Sequence, residues 1–129
     1  MMKTFLIVTA FLEAATGLAL LVLPAFVVKL LLGAEISGAA IPLSRVAGIA
    51  LLALGIACWL AGGDTKSRAT QGLVTAMLLY NFGVAAILGI TGMQSQPIGI
   101  ALWPAVILHV AMGVGCIFCW RRKTRGLPQ

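Results

Sequence analysis

The chain has 129 residues, 61% of them hydrophobic and only 9% charged, with a net charge of +6. A water-soluble domain of this length needs far more charged surface, and no polar stretch is long enough for a second domain. Residues 1–129 are therefore expected to form a single membrane domain.

Four apolar runs cover residues 4–23, 41–62, 70–90 and 98–120. Each is about 20 residues long, enough for a helix to cross a hydrocarbon core of roughly 30 Å. The expected fold class is all-α: a polytopic membrane protein built as a four-transmembrane-helix bundle, packed helix on helix. Lys3 before the first run resembles the start of a signal peptide. That run is about twice the usual apolar length of such a signal. It also contains Glu13 and lacks a small-x-small cleavage site, so it is expected to be a retained first helix.

Pro24 predicts a kink or break, because proline lacks a backbone N–H and disfavours helical geometry in the residue before it. Residues 25–32 stay apolar apart from Lys29, which suits a bent continuation or a short helix at the interface. Gly33 is the expected C-cap, and residues 34–40 form a small polar loop. The second run starts at Ile41-Pro42, where proline is tolerated in a first turn, and ends at Gly62-Gly63. The short loop that follows predicts that the second and third spans are antiparallel neighbours, with Asp64 capping the third. The third span is expected to end near Gly89–Gly92. An uncharged loop over residues 93–97 then leads into the last span, which closes at Trp120. Trp59 and Trp120 fall near one interface and Trp103 near the other, as belt residues do. No internal repeat relates the two halves, which argues against an inverted-repeat transporter within one chain.

Charge fixes the expected orientation. Lys3, Lys66, Arg68, Arg121, Arg122, Lys123 and Arg125 fall on one side of the four spans, and only Lys29 and Arg45 on the other. Seven against two is a positive-inside pattern, so both termini are expected in the cytoplasm of an inner (plasma) membrane protein. The tail Arg121-Arg122-Lys123-Thr124-Arg125 is expected to anchor against anionic headgroups rather than nucleic acid.

The chemistry, if any, is expected at mid-depth. At about 1.5 Å of rise per residue, Glu13 lies roughly 14 Å in from Thr4. Asn81 lies roughly 16 Å in from Thr70, and His109 roughly 16 Å in from Ile98 on the opposite side. Three spans thus each carry one polar residue near the centre. Polar groups at such depth are costly; they face a bundle interior and often mark function. Glu13, Asn81 and His109 are the candidate ligand- or proton-binding residues. The structural alternative is a set of hydrogen bonds that simply locks the helices together. Arg45, one turn inside the outer boundary, is a further candidate as an anion or headgroup contact. The plainer roles for it are snorkelling to the headgroups or pairing with Glu35. Arg45, Gly48, Leu52, Gly55 and Trp59 form one helical stripe whose glycines allow close backbone approach.

Cys116-Ile-Phe-Cys119 has C-x-x-C spacing, but it falls on the reducing side together with Cys58, and small packing residues are expected there. Those three cysteines lack a fourth ligand for zinc. His109 lacks a second histidine to share a haem. No phosphate-cradling loop or nucleophile–base pair is present. No cofactor, metal or enzymatic activity is therefore expected. The expected partners are membrane lipids, another copy of the chain or a larger membrane complex, in which this protein would be an accessory structural subunit.

Two resemblances bear on this. Pro24, Leu32-Gly33, Arg45-Val46-Ala47-Gly48 and Leu54-Gly55 resemble small four-helix bacterial membrane proteins of the DoxX-like and unknown-function type. That resemblance covers about the first half of the chain and implies the fold and an inner-membrane location. Phe11-Leu12-Glu13-Ala14-Ala15-Thr16-Gly17 is similar to the first helix of small multidrug resistance transporters. This second resemblance implies proton-coupled exchange of cationic substrates through Glu13. The chain departs from that family in lacking a Trp-x-Gly pattern in its third span.

Overall fold

The computed structural model describes residues 1–94 and 98–124. Those residues form five helices: α1 (Met2–Val22), α2 (Pro24–Leu32), α3 (Ala40–Ala61), α4 (Arg68–Gln94) and α5 (Leu102–Thr124). All but α2 are long and apolar enough to cross a membrane. The expected loop residues 95–97 and the tail residue Arg125 lie outside the described residues.

The break at Pro24 is complete. Leu23 leaves helical geometry (φ −127°, ψ 55°), and Pro24 opens α2 at its first position. Proline imposes this twice over, by barring helical geometry in the residue before it and by fitting a helix start, where no N–H partner is required. Gly33 closes α2 in the left-handed region at φ 71°, as expected of a C-cap. The Leu30 carbonyl, one of the orphan acceptors of that helix end, takes a hydrogen bond from the Ala101 N–H at 2.9 Å. This bond ties α2 to the segment leading into α5. Lys29 donates to the Glu35 carboxylate, which holds the exposed ammonium above its usual pKa range by hydrogen bonding first and charge second. Glu35 is thereby committed to Lys29 and not to Arg45.

Several boundaries differ from the sequence expectation. The cap of α4 is Ser67, whose hydroxyl accepts the Thr70 N–H at 3.1 Å. Asp64 instead folds the preceding turn, accepting the N–H groups of Lys66 and Ser67 at 3.2 and 3.3 Å. The α4 helix continues through Gly89 and Gly92 to Gln94: a glycine costs a helix only about 1 kcal/mol, too little to end one whose neighbours favour it. The last helix starts at Leu102 rather than Ile98.

Packing is organised in two pairs. The α1 and α3 helices form one, α4 and α5 the other, and contact between the pairs is sparse. The short α3–α4 loop therefore does not make those two helices close packing partners, contrary to the neighbour rule. Backbone access decides the pairing. Gly17 faces Gly48 and Leu52, Gly55 faces Ala10 and Ala14, and Gly62 faces Ile7, so the two helices run antiparallel. A Cβ on Gly17 would stand 2.6 Å from the Gly48 carbonyl oxygen. Close backbone approach of this kind gives the two helices extensive van der Waals contact. Within the second pair, Gly113 receives the Phe82 ring and Gly92 receives Leu102 and Trp103.

One end of the bundle is closed and the other is open. Leu6, Ala10, Cys58, Val74, Met77, Cys116 and Cys119 form a buried core at the end where α1 begins. All three cysteines are buried and outside any disulfide, and they fill space as small apolar residues do. Toward α2 the pairs diverge, leaving a cleft of about 520 Å³ between them.

Candidate midplane polar site

Glu13, Asn81 and His109 line one small cavity of about 50 Å³, together with Leu12, Thr16, Tyr80, Leu108 and Met112. The depth estimates from sequence thus correspond to side chains that share one space. Glu13 comes from α1 in the first helix pair; the others come from α4 and α5 in the second. Glu13 is 6% exposed and Asn81 1%, so neither presents its polarity on the outer surface.

Asn81 organises the site. Its Nδ2 donates to the Met77 carbonyl one turn earlier at 2.8 Å. The Oδ1 is then the atom that faces His109 Nδ1, at 3.0 Å. A reversed amide would set two oxygens against each other at Met77. The Asn81 oxygen therefore accepts from Nδ1–H, and a neutral His109 ring keeps its Nε2 as a lone-pair acceptor. The Asn81–His109 hydrogen bond also joins α4 to α5 across the pair.

Tyr80 is the residue the sequence did not resolve. A single tyrosine beside Asn81 offers no period from which to decide whether it faces lipid or the bundle. It turns inward, half-buried, with its ring edge-on to His109 at a centroid distance of 5.7 Å. Its hydroxyl interacts with the Glu13 carboxyl from the other helix pair. Thr16 also lines the cavity; its place three residues after Glu13, on the same helix face, was the signal available for it.

Thr16, Tyr80, Leu108 and His109 also border the larger cleft. That cleft is apolar otherwise, lined by Leu20 on α1, Val27, Leu30 and Leu31 on α2, Ala47, Ala50 and Leu51 on α3, and Val84 and Leu88 on α4. The two spaces adjoin at Thr16, Tyr80, Leu108 and His109, the larger one apolar toward α2 and the smaller one polar at mid-depth. Arg45 stands apart from it: its side chain is exposed on α3 and lines neither space.

Compared with known protein families, with curated proteins and with solved structures, the chain matches none. Among the described residues no cluster of three or more His, Cys, Asp or Glu side chains could hold a metal ion. The site is thus a hydrogen-bonding pocket with one carboxyl, one imidazole, one phenol, one amide and one hydroxyl.

Proposed function

We propose that this protein crosses a cell (plasma) membrane four times with both termini in the cytoplasm, and that its midplane pocket binds a small molecule, lipid or proton. One observation carries the binding reading: polar side chains from three helices converge at the base of an apolar cleft of about 520 Å³. That volume lies within the range of small-molecule sites, which are mostly apolar with a few convergent polar groups. Helices meant only to be locked together need no such space beside the lock. The topology rests on the four long apolar helices and on the cationic residues that flank them, seven to two in favour of one side. Arg45, exposed near the start of α3, suits contact with the outer headgroups.

The test is gentle purification from native membranes followed by native mass spectrometry. A bound small molecule is expected on the wild-type chain and is expected to be lost in Glu13→Gln, with the helical circular dichroism unchanged. A stoichiometric set of larger proteins, with no small molecule and no effect of Glu13→Gln, would replace this reading with that of an accessory subunit.

A further inference from the structure

The hydrogen-bond directions in the pocket narrow the chemistry of what enters it, given the binding reading above. Donors and acceptors there are unequally committed. One Asn81 amide hydrogen serves the Met77 carbonyl, and the amide oxygen serves His109 Nδ1–H. The Tyr80 hydroxyl interacts with Glu13. Two acceptors keep free capacity. Glu13, when ionised, has a second carboxyl oxygen that accepts, and His109, in the tautomer that Asn81 imposes, has the Nε2 lone pair. Thr16 adds one hydroxyl that rotates to either role. A group seated among them is satisfied when it donates hydrogen bonds. A carbonyl, ether or carboxylate would set its lone pairs against those of Glu13 and His109, and buried groups left unpaired in this way cost about 1–3 kcal/mol each.

The cleft fixes the rest of the ligand. Its walls are aliphatic, from Leu20, Val27, Leu31, Leu51, Val84 and Leu88. It meets the polar cavity at Tyr80 and His109 and continues away from it toward α2, which suits a chain or body that trails from the head.

We propose that the pocket takes a membrane amphiphile whose small head donates hydrogen bonds, an amine or an alcohol, to Glu13 and His109, while its apolar body fills the cleft between the two helix pairs. Both head types share the donating chemistry and differ in charge, so the test separates them.

His109 is the single histidine of the chain, so full-length protein labelled with ¹⁵N-histidine in nanodiscs gives one pair of imidazole signals. The free protein is expected to have Nδ1 protonated and Nε2 bare. Dodecylamine and dodecanol are expected to shift the Nε2 signal upfield as it accepts a hydrogen bond, while methyl dodecanoate, which has no donor, leaves it in place. A response to dodecylamine that weakens about tenfold or more in Glu13→Gln assigns a cationic head, because hydrogen bonds to charged groups are the stronger kind. An equal response to dodecanol, insensitive to that substitution, assigns a neutral one; either result supports the proposal. A protonated Nε2 in the free protein overturns it, as does an ester that shifts the signal as much as the amine. If all three probes are inert while native mass spectrometry still finds a molecule lost in Glu13→Gln, the ligand class is wrong and the pocket reading stands.

Discussion

Replacing Gly17 by alanine tests the basis of the first helix pair. The added Cβ would stand 2.6 Å from the Gly48 carbonyl oxygen, 2.8 Å from the Leu52 nitrogen and 3.0 Å from the Leu52 side chain. Relaxed carbon–oxygen contacts between helices lie at about 3.3–3.6 Å, so the backbones must part by roughly 0.7 Å at this crossing. Two of the three obstacles are backbone atoms, which cannot rotate aside. Overpacking of this kind costs about 1–3 kcal/mol. Alanine also favours the helix by about 1 kcal/mol, which would mask part of that cost. Gly83→Ala supplies the correction: Gly83 lies within α4, and a Cβ there meets nothing within 4 Å. The propensity gain is common to both variants, so their difference isolates the clash. Reversible unfolding in mixed micelles is expected to rank Gly17→Ala below Gly83→Ala by about 1–3 kcal/mol. Equal stabilities, within about 0.5 kcal/mol, would mean that α1 and α3 are not held by backbone contact and would refute the pairing mechanism.

Three other outcomes are expected. Ser67→Ala removes the cap of α4 and should lower unfolding stability by about 1 kcal/mol, whereas Asp64→Ala should leave the Ser67 cap in place and cost less in the same assay. A double-mutant cycle on Asn81→Leu and His109→Phe should give a coupling of about 0.6 kcal/mol and no more than about 1.7 kcal/mol, the span found for hydrogen bonds between membrane helices; additive effects would mean that the Asn81–His109 bond contributes nothing. Glu35 raises the Lys29 pKa above its ordinary value of 10.5, so whatever the pair adds to the α2 end is fully present below that value. It is lost as pH rises through the higher folded value, and NMR titration of Lys29 in wild type and Glu35→Gln should show the pKa returning toward 10.5 in the variant.

Much of this architecture could be read from the chain. The four long apolar helices followed from run length, the break at Pro24 and the turn at Gly33 from backbone chemistry, and the meeting of Glu13, Asn81 and His109 from their positions along those helices. The pairing of helices could not. In a soluble bundle the apolar stripe points inward, but here the outward faces are apolar too: Leu43, Val46, Ile49, Ile56 and Leu60 of α3 are all exposed. Periodicity then carries little direction, and loop length suggested the wrong neighbour for α3. Gly48 and Gly55 did signal that a backbone would come close, without naming α1 as the one. The direction of Tyr80 was hidden for the same reason. Ser67 lost to Asp64 as the expected cap because both suit the role, and only the path of the turn decides between them.

The division into two tightly seamed pairs gives any occupant of the pocket a second role. Glu13 belongs to one pair, and Tyr80, Asn81 and His109 belong to the other, while the core at the α1 end and the Leu30–Ala101 hydrogen bond join the pairs elsewhere. A molecule held by both sides acts as a rivet, and its binding free energy is also free energy for keeping the halves together. Occupancy and mutual orientation of the halves become two measures of one equilibrium. Tightening of the two halves on filling is the mechanical signature that the binding proposal predicts.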